Sequence, residues 1–127
     1  MADPNIVDTT IVKGKTVVTD NIPSTGITLL TNSTSNSVYK IATLVVSNID
    51  GSAPYDLSVN FVRNSTSYKL VSTVAIPQDS SLVVISRDTS IYLQENDSLN
   101  LVASTSNKLQ AVCSYEEILW DIVMVGI

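Results

Sequence analysis

The sequence has no histidine, one cysteine and four glycines among its 127 residues. Without histidine, neither a Ser-His-Asp nor a Cys-His catalytic arrangement can be built, and no zinc site can use imidazole ligands. The single cysteine, Cys113, excludes an internal disulfide, and its apolar neighbours predict a small buried side chain. No phosphate-binding loop of the GxGxxG or GxxxxGK[ST] type occurs. The sequence therefore predicts a protein that is not an enzyme and that holds no metal and no cofactor.

Charge is also scarce, and what there is leans negative. Charged residues make up 15% of the chain, and a net charge of −5 gives a pI near 4.3. Nucleic-acid binding needs a basic face, which this balance argues against. No apolar run approaches the roughly 18 residues of a membrane helix, and Met1 to Asp8 lacks the basic and apolar regions of a signal peptide. We therefore expect neither nucleic acid nor membrane as a partner.

What the sequence does contain is short aliphatic runs separated by small polar residues. Hydrophobic residues reach 44%, beside 18 serines, 13 threonines and 10 asparagines. Runs rich in Val, Ile, Leu and Thr between Asn, Asp, Ser, Pro and Gly predict strands. Eight or nine such strands are predicted, at 11–19, 27–31, 38–48, 56–63, 68–76, 81–86, 90–94, 98–106 and 109–115. So many short, closely spaced strands are typical of a sandwich or a barrel.

Three local patterns add detail to this prediction. The segment 56–63 alternates cleanly, which places Leu57, Val59 and Phe61 on one face. The segment 81–86, SLVVIS, is continuously apolar and predicts a strand buried on both sides. The sequence pattern is compatible with a helical turn only at residues 115–121.

The two ends of the chain differ from its middle. Residues 1–10 are polar and open and predict an N-terminal arm, followed by a β-sandwich domain at 11–118. The segment 118–127, ILWDIVMVGI, is too apolar to lie bare in water. Its tail, 119–127, is either a final core strand or a surface that packs on another subunit. If these ends form an interface, we expect it to use Ile6, Val7, Leu119, Trp120, Ile122, Val123 and Met124.

Two further groups of residues are compatible with ligand binding. Asp88, Glu95 and Asp97 lie near one predicted turn and supply oxygen ligands of the kind calcium prefers, but turn chemistry explains them more simply. An aromatic platform for sugars is the second possibility. The aromatic residues that could form it are Tyr39, Tyr55, Tyr68, Tyr92, Tyr115 and Trp120. Core or rim packing is the simpler interpretation, since most of these residues lie inside predicted strands.

The polar strand faces point to protein contacts. Ser and Thr replace the Lys and Glu that usually cover exposed strands, and charge is depleted at the cores of protein interfaces. Together with the apolar tail, this composition favours an assembly protein.

The region 38–118 also resembles a known group of proteins. The resemblance lies in IPQDSSLVVISRDTSIYLQENDSL (76–99), in LVASTSNKLQAVCSYEEI (101–118), and in VVSN (45–48) followed by Asp50-Gly51. These segments are similar to small virion structural proteins of tailed bacteriophages, especially those of marine cyanophages. The resemblance implies a jelly-roll-like β-sandwich that decorates a virion, and it carries no catalytic residues. The extension LWDIVMVGI departs from the group's pattern.

The sequence thus predicts an all-β fold, an antiparallel β-sandwich of about eight strands that is jelly-roll-like. We expect a capsid decoration or cement protein that is synthesised in the host cytoplasm and stabilises the outer shell by binding the major capsid protein or other virion proteins. A homo-oligomer is expected, with a trimer favoured. The alternatives are a neck, tail or fibre-attachment component of the virion, and a module that binds carbohydrate or a host surface.

Overall fold

A computed structural model describes residues 11–120 of the chain. Nine strands and one short 3₁₀ helix, Arg87–Thr89, make up its regular structure. The strands, β1 to β9 in chain order, are Ile11–Thr19, Ile27–Thr31, Ser37–Asn48, Tyr55–Arg63, Thr66–Ile76, Ser81–Ile85, Ile91–Leu93, Ser98–Ala103 and Leu109–Leu119. No helix within residues 11–120 is long and apolar enough to cross a membrane.

The strands form two antiparallel sheets that pack face to face. The first sheet has the order β1-β9-β3-β6, with β7 also paired to β3, and the second has the order β2-β8-β4-β5. Because β6 and β7 pair with successive parts of β3, they occupy one strand position interrupted by the 3₁₀ helix. Each sheet therefore has four positions, and the chain crosses between the sheets repeatedly. This is the topology of a jelly roll, and the predicted all-β sandwich is confirmed.

Alternation along the strands builds the core. In β3, β8 and β9 nearly every second side chain is buried, because successive residues of a strand point to opposite faces. The aliphatic side chains from both sheets meet between them, and the largest that are fully buried are Ile22, Ile41, Leu44, Leu57, Ile76, Leu93, Leu99, Leu101 and Leu109. Cys113 is also fully buried, as predicted, and burial raises the pKa of its thiol to about 12.

Two local predictions are wrong. Strand β6 is not buried on both sides, because it lies at the edge of the first sheet: Val83 is exposed, whereas Ile85 points into the core. The region 115–121 forms no helical turn up to Trp120. Strand β9 continues to Leu119 because it pairs with β1 on one side and β3 on the other, which satisfies its backbone along its whole length.

The core is tested by shortening one of its central side chains. Leu101→Ala removes a fully buried side chain between the sheets and is expected to lower the free energy of unfolding by about 2–5 kcal/mol in urea titrations. Leu70→Ala is the matched control, since Leu70 on β5 is 39% exposed, and it is expected to cost less than about 1 kcal/mol. Equal losses for the two variants would contradict the burial pattern.

Candidate interaction surface

The outer face of the first sheet carries a row of four valines. Val18 of β1 lies opposite Val112 of β9, which lies opposite Val45 of β3, which in turn lies opposite Val83 of β6. Val18, Val112 and Val83 are 64%, 46% and 58% exposed, and Val45 is half-buried. This valine row runs across all four strand positions, and no other part of residues 11–120 covers it.

Three further rows complete this face. A second apolar row lies six residues away along the strands, and a hydroxyl row and a charged row lie between the two apolar rows. By the register of β1, β9, β3 and β7, the second apolar row is Val12, Ile118 and Val38, the hydroxyl row is Thr16, Ser114 and Thr43, and the charged row is Gly14, Glu116, Lys40 and Tyr92. We call these three rows and the valine row together the valine face.

The hydroxyl groups on this face partly satisfy each other. Thr16 Oγ1 lies 3.3 Å from Ser114 Oγ, and beyond the valine row Ser47 Oγ lies 2.9 Å from Ser81 Oγ. A hydroxyl that already has a hydrogen-bond partner loses little when water is removed from the face. The valine face is therefore suited to packing against another protein surface.

The outer face of the second sheet is different. One of its rows is Thr28, Asn100, Asn60 and Lys69, and another is Thr31, Ser98, Val62 and Ser67. Asn60 Nδ2 donates to Asn100 Oδ1 at 3.4 Å, and Asn100 Nδ2 donates to the backbone oxygen of Ile27 at 3.1 Å. Amide and hydroxyl groups thus dominate these two rows, whereas the exposed apolar side chains of the second sheet lie on its edge strand β5 and are Tyr68, Leu70 and Val74.

Two depressions lie at the margins of the valine face and include some of its residues. One, of about 610 Å³, lies beside Lys40 and Glu116 and is also lined by Arg87 and Asp88 of the 3₁₀ helix. The other, of about 410 Å³, lies between Val38, Gln94 and Trp120. Both are open to solvent. The first is lined mainly by charged side chains of both signs, and the second combines polar side chains with Val38 and Trp120.

The best-buried carboxylates are held by cations. Asp97, whose side chain is 3% exposed, accepts hydrogen bonds from Arg63 Nε at 2.9 Å and Nη2 at 2.6 Å. Its Oδ2 also accepts from the backbone N–H of Gln94 at 2.8 Å, so the carboxylate closes the turn before β8. The Arg63 guanidinium holds the pKa of this carboxyl below its ordinary value, against the opposing effect of burial. Asp97 therefore performs turn chemistry, as the simpler interpretation predicted.

Two other acids are paired in the same way. Glu117 Oε1 lies 2.9 Å from Lys15 Nζ, and the hydrogen bond from Lys15 lowers the pKa of Glu117. Asp50 accepts from Ser52 Oγ at 2.6 Å and lies 2.9 Å from Lys108 Nζ. The bonds from Ser52 and then from Lys108 hold the pKa of Asp50 well below its ordinary value. Such ionised, saturated carboxylates cross-link strands and loops, whereas a general acid needs a raised pKa.

The carboxylates of the structure do not gather into a metal site. Within residues 11–120, no three His, Cys, Asp or Glu side chains lie close enough to hold an ion. Asp88 and Glu95 are exposed, and Asp97 is already occupied by Arg63, so the three do not share a ligand set.

The aromatic side chains divide between core and surface. Tyr39 is buried and stacks on Tyr115 with ring centroids 5.1 Å apart, and Tyr55 packs against the core. Tyr68 and Tyr92 are 55% and 51% exposed, so the prediction of core or rim packing is wrong for these two. They lie on different sheets, Tyr68 on β5 and Tyr92 on β7, and form no common platform.

Only two of the seven predicted interface residues lie in the described part of the chain. Leu119 ends β9 and pairs with Ile11 and Ser37. Trp120 follows it and donates its backbone N–H to the oxygen of Asn36 at 3.0 Å. Both side chains are half-buried. The other five, Ile6, Val7, Ile122, Val123 and Met124, fall outside the described residues.

Sequence reasoning missed the valine face. Its signal is a doublet in which an outward valine adjoins an inward apolar residue, as in Val17-Val18, Val45-Val46 and Ala111-Val112. A half-buried strand that alternates strictly needs only one of the two to be apolar. The doublets alone do not show that the outward residues form one row, because that follows only from strand register.

Comparison with known proteins shows a shared fold. No protein-family model matches the sequence, and no curated protein matches it either. Among solved structures, the chain is similar to a protein from Bacillus endospore appendages, described as disulfide-linked pili, with a TM-score of 0.54 and 13% identity over 89% of this chain and 90% of that one. At 13% identity the likeness is one of fold alone.

Two more distant structures also align. The nucleoplasmin-like N-terminal domain of Drosophila FKBP39 gives a TM-score of 0.40 at 10% identity, over 91% of this chain and 93% of that one. A chain of the infectious bursal disease virus Gx strain gives 0.41 at 11% identity, over 92% of this chain and 37% of that one. Nothing about function follows from scores this low.

The paired carboxylates predict how stability depends on pH. The pKa of Asp97 is lower in the folded protein than its ordinary value of 3.8, so its contribution is present above that pH and is lost as the pH falls through the folded value. We expect the urea midpoint to fall between about pH 5 and about pH 2. Asp97→Asn is expected to lower the midpoint at neutral pH and to flatten this dependence.

The control for this experiment is Asp88→Asn, because Asp88 is exposed and belongs to none of the ion pairs within residues 11–120. That variant should follow the pH curve of the parent protein. A curve for Asp97→Asn that parallels the parent at every pH would contradict the structural role of the Arg63–Asp97 pair.

Proposed function

We propose that the chain is a structural subunit of a tailed-bacteriophage virion, most specifically a capsid decoration or cement protein. The observation that carries the proposal is the valine face, a sheet surface with two apolar rows that no other part of residues 11–120 covers, on a jelly-roll domain with few charges. Exposed apolar rows of this extent on a single domain are typical of protein interaction sites. The resemblance of residues 38–118 to virion proteins supplies the biological setting.

The proposed mechanism is passive. Each subunit bridges neighbouring shell proteins on the capsid surface, and the additional buried area opposes the outward pressure of packaged DNA. Contacts of this kind need a rigid domain rather than a moving one. The three ion pairs suit that requirement, because Arg63–Asp97, Lys15–Glu117 and Lys108–Asp50 each join segments that are far apart in the sequence.

The apolar C-terminal segment is the proposed contact with the shell. Strand β9 leads directly to Trp120, which lies beside Val38 and Gln94 at one end of the valine face. Trp is frequent among the residues that dominate binding energy, and an extended terminal segment can add a strand to a partner sheet. The proposal includes a homo-oligomer, and the trimer favoured in the sequence analysis is the alternative to the two-fold pairing argued below.

A neck, tail or fibre-attachment component is the second candidate, since the same fold and the same face suit any ordered position in a virion. A carbohydrate- or host-surface-binding module has less support. Sugar stacking requires aromatic rings on one face, whereas Tyr68 and Tyr92 lie on different sheets and Tyr39 and Tyr115 stack on each other.

Copy number in purified virions tests the proposal. Quantitative mass spectrometry against the major capsid protein is expected to give between one chain per capsid protein and one chain per three. A ratio below about one in thirty would assign the protein to the neck, tail or fibres. Absence from particles would contradict the virion proposal altogether.

A truncated chain tests the proposed shell contact. Deleting residues 121–127 leaves β9 complete and is expected to leave the urea midpoint nearly unchanged, while binding to undecorated particles in a sedimentation assay is lost. The matched control keeps the length and replaces Ile122, Val123, Met124, Val125 and Ile127 by serine, which should abolish binding equally. Full binding by either chain would contradict a contact made through apolar side chains of this segment.

A further inference from the structure

The arrangement of the rows on the valine face indicates which partner the face can bind. Every row follows the same order of strands, from β1 through β9 to β3. The valine row continues to β6, and the charged row continues to β7. In a two-fold contact the same patch meets itself. Consider a two-fold axis that lies in the interface, parallel to the strands and between β9 and β3. It reverses the order of the strands in the second copy, and each row still faces the same row. Positions on β9 then face β3 of the second copy, and β1 faces β6 and β7.

We propose that the valine face pairs with the same face of a second copy of this chain about that axis. The inference rests on the proposed function only in that this face packs against protein. Sheets that pack face to face keep their strand directions within about 30° and lie about 10 Å apart, and a strand-parallel axis satisfies this alignment. In the valine row, Val112 faces Val45 of the second copy and Val18 faces Val83.

The charged row supports this axis over others. Glu116 of one copy faces Lys40 of the second copy, and the symmetry repeats the contact. Glu116 and Lys40 are cross-strand neighbours within one chain, but they form none of the ion pairs found within residues 11–120, so both charges can still pair across the interface. An axis perpendicular to the strands would instead place Glu116 and Lys40 over the hydroxyl row, and burying charges without a partner is costly.

The sizes of the side chains match at the ends of the same row. Gly14 on β1 leaves a gap, since a Cβ placed there meets no atom within 4 Å. Tyr92, at the other end of the row, is 51% exposed and stands out from β7. The proposed axis places Tyr92 of each copy over Gly14 of the other, so the aromatic side chain of the row meets the position with no side chain.

The surface area that the proposed contact would bury is that of a small specific interface. Six residues separate the two apolar rows, which with one residue at each end gives a length of about 27 Å, and four strands give a width of about 19 Å. The footprint is therefore about 500 Å² on each copy and about 1,000 Å² in total, near the lower limit of specific interfaces. We expect a dimer that dissociates on dilution and forms more completely when copies are concentrated.

Complementary charge variants test the pairing. Glu116→Lys alone brings lysines against Lys40 of the second copy, and Lys40→Glu alone brings glutamates against Glu116. Each variant by itself is expected to dissociate at least about tenfold more readily than the parent chain in sedimentation velocity. Mixing the two restores both opposite-charge contacts, so the mixture is expected to dimerise as the parent does. The repulsion inside each chain is the same before and after mixing, so only contacts between chains can explain recovery.

A steric pair provides a second test that leaves the charges untouched. Gly14→Leu fills the gap, does not strain the monomer because a side chain finds open space there, and is expected to block dimerisation through a clash with Tyr92. Adding Tyr92→Ala should recover it. Val74→Lys is the surface control, since Val74 on β5 is 40% exposed and lies outside the proposed interface, and it should dimerise normally.

The outcomes separate this inference from the proposed function. A dimer that is lost in the single charge variants and recovered on mixing supports the two-fold pairing. A monomer at the highest concentration reached, a trimer, or a dimer indifferent to Glu116→Lys and Gly14→Leu overturns it. High copy number in virions together with a monomeric chain would overturn the pairing and leave the virion proposal standing. A dimer absent from particles would do the reverse.

Discussion

Strand β9 pairs with β1 on one side and with β3 on the other, and this pairing organises the first sheet. It brings the first, third and last strands of the chain into one sheet and fixes their register over nine residues on one side and eleven on the other. Because side chains alternate along each strand, that register decides at once which residues reach the core and which form the outer face. A slip by one residue would bury Val112 and expose Cys113.

The same register produces the two features that bear on function. On the inner side it aligns Leu44, Cys113 and Val17 with the core, and on the outer side it places Val18, Val112 and Val45 in one row. The bulge at β3, where the register shifts between Ile41 and Thr43, keeps both ends of that long strand in phase with β9. A single inserted residue thus lets the charged row and the valine row share one face.

The positions of the strands were easier to predict from the sequence than their places in the sheets and the exposure of their side chains. The bounds of β1 and β2 were predictable because β-branched runs end at clear polar turns. The edge position of β6 was not, since SLVVIS reads the same at an edge as in the middle of a sheet. The exposure of Tyr68 and Tyr92 depends on which strands lie opposite them, and the continuation of β9 through Leu119 depends on its two neighbours. These are long-range facts that no local pattern contains.

The candidate interaction surface also combines features that the local sequence predicts with features that depend on strand pairing. The apolar ends of the chain were conspicuous as sequence, whereas the valine face consists of residues far apart along the chain that meet only through strand pairing. We infer that the valine face is buried in the assembled protein. Methyl NMR with a soluble paramagnetic probe, comparing dilute and concentrated samples, tests this burial. If the face is buried, the methyls of Val18, Val45, Val83 and Val112 become protected on concentration, while those of Val74 stay accessible. Equal accessibility of all five valines at both concentrations would contradict it.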